Sequence, residues 1–211
     1  MSDIPNQLEL PFAAASESNP QQAAPIGDYA QDRLHCMVDL ETMSLGAHAM
    51  VLSIGAVLFD PNAFGVASKF YVAIDLEDQM ASGRFQMDPG TLLWWMHEER
   101  RDARNRWMAE AKVDIYAALS GLREWFGPSS RPVWGNGASF DNVVLANAYR
   151  SMGLSVPWTY KHDRCFRTMA NMAPLVEFIR KGTFHHALDD AESQAEHLHR
   201  VLNNLSIKDA A

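Results

Sequence analysis

Cysteine is almost missing from this 211-residue chain, with only Cys36 and Cys165 present. Two thiols supply no disulfide framework and suit a reducing compartment. Long apolar runs are missing too: none approaches the roughly 20 residues needed to cross a membrane. The first residues lack the basic-then-apolar order of a secretory leader. A cytoplasmic protein without membrane contact is therefore expected. Positive charge is also short. Eighteen Lys and Arg against 26 Asp and Glu leave a net charge of −8, which argues against a protein that coats nucleic acid by charge alone but not against a nuclease. Internal repeats are absent. What remains is an ordinary globular mixture, 47% hydrophobic and 21% charged, long enough for one large domain with a proper core.

Residues 1–33 are rich in Ala, Gln, Asn, Pro and Ser and show no period, so they read as a flexible tail. One piece of it differs: Gln7-Leu8-Glu9-Leu10-Pro11-Phe12. A short apolar segment in such a tail is a usual form of docking peptide. Gln7, Leu8, Leu10 and Phe12 fit a pattern that resembles the bacterial sliding-clamp-binding motif, which implies a clamp as partner. The alternative is an incidental apolar patch.

From Leu34 the pattern changes. Leu34 to Glu41, Met50 to Asp60 and Val66 to Asp75 read as strands, the last two joined by a turn at Asp60-Pro61-Asn62-Ala63-Phe64-Gly65. Residues 89–108 read as one helix opened by Pro89, with Leu92, Leu93, Trp95 and Met96 as its apolar face. Val113 to Phe126 reads as a second helix, ended by Gly127-Pro128. Arg131 to Trp134 is a short strand, and Ser139 suits the N-cap of a helix reaching Met152. A short strand is expected around Tyr160 to Asp163 and a helix from Phe166 to Arg180. The last helix starts near Ala187, with Leu188, Ala191, Ala195, Leu198, Leu202 and Leu205 as its stripe, and residues 207–211 are expected to fray. Three antiparallel strands, then helices alternating with further strands, give one α/β domain (34–206) with a mixed sheet.

The first strand ends in two acids, Asp39 and Glu41. Residues two apart on a strand share a face. Two neighbouring carboxylates near a core repel each other and lose hydration unless a cation lies between them. An oxygen-loving ion such as Mg²⁺ or Mn²⁺ suits them. A solvated strand end is the alternative for the pair alone. Asp141 falls in the first turn of the helix after Gly135-Asn136-Gly137, where it also suits the helix dipole. Asp189 and Asp190 fall in the first turn of the last helix, just after His185-His186.

In that order, Asp39-Leu40-Glu41-Thr42, Asn136 to Phe140-Asp141, and His185-His186-Ala187-Leu188-Asp189-Asp190 resemble the three motifs of the DEDD 3′–5′ exonuclease superfamily in its histidine (DEDDh, DnaQ-like) form. The set is similar to the small stand-alone phage and bacterial exonucleases that begin Asp-x-Glu-Thr-Met, here continuing to Met43. The resemblance implies a ribonuclease-H-like fold, with Asp39, Glu41, Asp141 and Asp190 holding two Mg²⁺ or Mn²⁺ and His185 as general base. His186 is the rival base at the tyrosine-branch spacing, and Asp189 the rival of Asp190. Thr42 and Met43 are implied to contact the terminal nucleotide, and Phe140 stacks on a base or packs in the core. Arg164, Arg167, Arg180 and Lys181 are candidates for backbone phosphates or members of a solvated face.

The activity implied is release of nucleoside 5′-monophosphates from single-stranded 3′ ends. The tail peptide tilts the substrate towards DNA. An exoribonuclease of the same chemistry and a non-catalytic clamp-binding adaptor are the alternatives. Related small exonucleases are often homodimers, and Trp94 or Trp95 offers a surface for a second copy.

Overall fold

A computed structural model of the chain describes residues 33–127 and 131–209, with side chains to Ser206. Apart from Arg33, the expected tail with its docking segment 7–12 lies outside the described residues. So does Pro128, the second half of the expected helix stop.

The strands are β1 (His35–Thr42), β2 (Val51–Phe59), β3 (Ser68–Ile74), β4 (Lys112–Val113), β5 (Val133–Gly135) and β6 (Asp163–Cys165). They form one sheet in the order β4-β3-β2-β1-β5-β6. β1, β2 and β3 pair antiparallel, while β4, β5 and β6 join in parallel. This is the expected antiparallel start with parallel additions. β4 escapes sequence reading because two residues carry no period.

β1 lies near the middle of the sheet and sorts its side chains by parity. Cys36, Val38 and Leu40 enter the larger core with helices α4 (Ile115–Phe126) and α5 (Asp141–Ser151). Met37 enters the smaller one beneath α6 (Phe166–Met172) and α7 (Ala187–Asp209). Asp39 and Glu41 continue the Met37 row, so both acids face the α7 side. Gly55 of β2 pairs directly with Asp39. A Cβ on Gly55 would lie 2.1 Å from the carbonyl carbon of Ala187 and 2.2 Å from the amide of Leu188. The first turn of α7 therefore rests on bare backbone beside the acids, a close approach that only glycine permits.

The β1–β2 register shifts after Glu41, as bulges next to functional sites commonly do. The side chains around it satisfy the freed backbone groups. The indole of Trp107 donates to the Leu52 carbonyl at 2.8 Å. Gln79 of α1 (Leu76–Ser82), fully buried, both donates to and accepts from the Val51 backbone at 2.9 Å.

Four expectations need correction. The helix expected over 89–108 is two, α2 (Pro89–Met96) and α3 (Arg101–Ala109), separated by an extended His97 and a short 3₁₀ turn. The Arg104 guanidinium folds back onto the carbonyls of Trp95 and His97 and so satisfies the end of α2. Of the expected α2 face only Trp95 is buried, while Leu93 and Met96 stay exposed. The helix expected to reach Arg180 stops at Met172, because Pro174 lacks a donor and forces Ala173 out of helical geometry. The strand near Tyr160 begins only at Asp163, after a 3₁₀ turn at Tyr160–His162. Phe140, not Ser139, precedes α5: its amide donates to the Gly137 carbonyl in the preceding turn. The backbone of α7 runs to Asp209, and the last two residues of the end expected to fray, 210–211, lie outside the described residues.

Gly55→Ala should force α7 off the sheet and cost about 3 kcal/mol, a melting temperature lower by roughly 6–12 °C. Thermal denaturation followed by circular dichroism checks it. A variant melting with the wild type would mean that α7 does not rest on β2 as described.

Candidate active site

The three separated motifs meet at one open cleft of about 220 Å³, bordered by Asp39, Glu41, Asp141, His185 and Asp190. Each reaches it from a different element. Asp39 and Glu41 come from the end of β1. Asp141 comes from the first residue of α5, and its Oδ1 accepts the Leu40 amide of β1 at 3.3 Å. That bond fastens the second motif to the first. Asp190 stands in the first turn of α7, and its Oδ2 accepts the backbone amide of His185 at 3.0 Å. Glu41, His185 and Asp190 each offer a donor atom within 4.8 Å of the other two.

The electrostatics disfavour four bare carboxylates. Burial pushes the Asp39 carboxyl well above its usual range, and the charges of Asp141, Glu41 and Asp190 push it further. Glu41 is raised for the same reasons, burial first and then Asp190 and Asp141. Burial raises Asp141 to about 7, against the downward pull of backbone donors that include the Leu40 amide. Asp190 is also raised by burial, although Arg180 pairs with its Oδ1 and pulls the other way. Asp141 Oδ2 is buried with no hydrogen-bond partner. Buried carboxylates in mutual repulsion, with an orphaned oxygen among them, fit one or more hard divalent ions, which would hold all four ionised.

His185 is fixed unusually. Its backbone lies at φ +62°, in the left-handed region. Its ring stacks on Phe184 at 3.6 Å between centroids and meets the edge of Trp94 at 4.8 Å. Burial, with Arg100 and Arg180 near, lowers its pKa to about 4. The imidazole is therefore neutral near pH 7, and its Nε2 is buried without a partner.

The other expected residues divide. Phe140 borders the cleft while packing its inner side on the larger core. Arg167 and Arg180 also border the cleft. Arg164 instead bonds the carbonyls of Lys161 and Asp163, and Lys181 pairs with Glu192 and Glu196. Thr42, the last residue of β1, and Met43 just past it are buried and do not line the cleft. Thr42 Oγ1 donates to the Ser44 carbonyl and the Met43 amide to that of Met50. Asp189 and His186 turn away from the cleft towards α3, where Arg106 meets Asp189.

Sequence reading missed Gln194, whose Nε2 donates to Asp39 Oδ1 at 2.7 Å. It stands four residues after Asp190, on the same helix face, and that spacing was the available signal. Phe178 and Phe184 were missed as well, because they lie in the irregular segment before α7.

A carboxyl whose folded pKa exceeds its unfolded one costs stability. The cost begins above the unfolded value, near 4, and is complete above the folded value. With Asp141 raised to about 7, Asp141→Asn in EDTA should stabilise the protein at pH 8, by at most about 4 kcal/mol. It should change little at pH 4. Saturating Mn²⁺ should reverse the order at pH 8 by favouring the wild type. Melting curves at the two pH values decide it, and an Asn variant less stable at pH 8 in EDTA would sink the account.

No curated protein matches the sequence. Solved structures do. Exonuclease I aligns at 15% identity and a TM-score of 0.55, over 82% of this chain and 43% of that one. The zinc-bound E. coli exonuclease I complex with single-stranded DNA aligns at 16% and 0.58, over 82% and 43%. E. coli exonuclease I with a dA13 oligonucleotide aligns at 16% and 0.55, over the same shares. The chain thus spans less than half the length of these proteins, and the likeness establishes the ribonuclease-H-like fold. The family model described as the 3′–5′ exoribonuclease Rv2179c-like domain matches residues 34–202. With that match running through nearly all of the described region, the chain belongs to the 3′–5′ exoribonuclease Rv2179c-like domain family.

Proposed function

We propose that the chain hydrolyses single-stranded RNA from the 3′ end, releasing nucleoside 5′-monophosphates with the help of two Mg²⁺ or Mn²⁺ ions. The observation that carries this reading is the meeting of Asp39, Glu41, Asp141 and Asp190 with a neutral His185 around one cleft. The exoribonuclease family match favours RNA. The DNA reading rested on residues 7–12, outside the described residues, and it gains weight from the exonuclease I complexes only by analogy of fold.

Asp39, Glu41, Asp141 and Asp190 are the residues that would hold the ions. Bound there, such ions lower the pKa of water and neutralise charge on the attacking and leaving oxygens. The chain's own groups do the rest. His185 takes the proton of the attacking water at its free ring nitrogen. Arg100 and Arg180 depress its basicity, and a phosphodiester entering beside them offsets their charge, so the base strengthens as substrate arrives. Phe184 and Trp94 keep the ring from turning away. Gln194 orients Asp39. Arg180, spread over the Phe184 ring at 3.8 Å, turns from Asp190 to a substrate phosphate once a cation neutralises that carboxylate. Phe140, Phe178 and Phe184 offer flat faces to unpaired bases, which a single strand presents and a duplex does not.

The tail carries a separate proposal, in which Gln7, Leu8, Leu10 and Phe12 dock on a sliding clamp. If so, clamp binding measured by surface plasmon resonance is lost on Leu10→Ala while hydrolysis persists.

With 5′-labelled RNA and DNA of one sequence, the protein should produce a ladder shortening from the 3′ end in Mg²⁺ or Mn²⁺ and none in EDTA, with RNA cut faster. Asp39→Asn should lower the rate by on the order of 100-fold or more while the fold persists. Comparable cleavage by that variant, or cleavage in EDTA, would remove the metal assignment. Faster cutting of DNA would reverse the choice of sugar.

A further inference from the structure

The two residues left over from the third motif, His186 and Asp189, lie in a network that serves the base from behind. Asp189 Oδ2 accepts the Thr183 amide at 2.8 Å and the Arg106 guanidinium at 2.7 Å. The same guanidinium nitrogen reaches Thr183 Oγ1 at 3.2 Å. Gly182 lies at φ +59°, and a Cβ there would stand 2.2 Å from Asp189 Oδ2. The turn is therefore moulded around that carboxylate. The His186 amide closes the turn on the Thr183 carbonyl at 3.2 Å.

The imidazole of His186 is buried and stacks on Tyr71 at 4.3 Å between centroids. Its Nδ1 accepts the Asp189 amide at 3.4 Å. The ring proton of the neutral form then lies on Nε2, which faces Glu110 Oε1 at 3.4 Å. Glu110 is held in turn by the Tyr71 hydroxyl and by Arg106. Neither His186 nor Asp189 lines the cleft. Both brace the turn that carries His185, whose backbone conformation few side chains adopt unaided.

We propose that Arg106 and Asp189 are positioning residues for His185: the Arg106–Asp189 pair ties α3 to the 182–186 turn and so holds the imidazole against Phe184 and Trp94, facing the cleft. The proposal rests on the exonuclease reading for what His185 does, but not for where it sits. It also separates the rivals by geometry, because Asp189 binds the turn and Asp190 faces the acids. A reacting group displaced by about 1 Å can lose a hundredfold in rate without loss of binding.

The test uses the full chain with Asp189→Ala, Asp189→Asn and Arg106→Ala. The Ala variants should lower kcat on single-stranded RNA by about tenfold to a hundredfold, with KM and Mn²⁺ affinity within about twofold of wild type. Asp189→Asn keeps an acceptor oxygen for the Thr183 amide and should recover most of the rate. A second readout needs no activity. With ¹³C-labelled histidine, the His185 Cε1–H signal, assigned through His185→Gln, should be displaced by the Phe184 and Trp94 ring currents in the wild type. It should move towards the free-histidine position in both Ala variants. Wild-type kcat in the Ala variants, an unmoved His185 signal, or KM and Mn²⁺ affinity changing in step with kcat would overturn the proposal. An inactive wild type would instead defeat the exonuclease reading, and the ring signal alone would then decide whether the pair positions His185.

Discussion

Four carboxylates held out of water and within reach of one another form an arrangement that a folding chain ordinarily avoids. Here the repulsion and lost hydration are overridden by apolar contacts that surround the acids without including them. The alternate residues of β1 (Cys36, Val38 and Leu40) are buried against α4 and α5, and Met37 against α7. The strand cannot turn its acids outward without losing both. Burial of this kind stabilises by about 1.5–3 kcal/mol per large side chain, enough in sum to hold a cluster that electrostatics alone would disperse. A bound cation would relieve that repulsion.

The cluster is also assembled in stages of differing firmness. Asp39, Glu41 and Asp141 rest on the sheet and on a helix bonded to it. Asp190 rides on α7, whose first turn rests on β2, whereas His185 depends on the irregular segment from Ala173 to His186. That segment carries no repeating backbone ladder. It is kept in place by individual bonds to α7, such as the Lys181 amide to Ser193 Oγ at 2.9 Å, and by the Asp189 carboxylate within its turn. Its aromatic and cationic side chains form one wall of the cleft. A wall of this kind can adjust to a ligand while the sheet-borne acids keep their spacing.

How much of this could be read in the residues follows from the range of the forces involved. Asp39 and Glu41 could be placed on one face because strand alternation is local, and Asp190 because a first helical turn has a short-range signature. Asp141 was readable as a first-turn acid, although not its bond to the Leu40 amide, 101 positions away. The break at His97 was hidden because it depends on Arg104 reaching back from the next helix. The early stop of α6 was visible in principle, since Pro174 announces it. The order within 173–186 was not readable, because its partners lie in α7 and α3. Gln194 stood at a readable spacing, but nothing local says that the amide will find Asp39.

The pairing of Asp39 with Gly55 joins two demands at a single rung of the sheet: one strand supplies a cleft carboxylate and its neighbour clears room for a helix. Strand pleating has a period of two, so losing or gaining one residue between His35 and Asp39 would exchange the acid row with the Val38 and Leu40 row. Length changes in this strand are tolerable only in even steps, and an odd change must be absorbed by the loops at its ends.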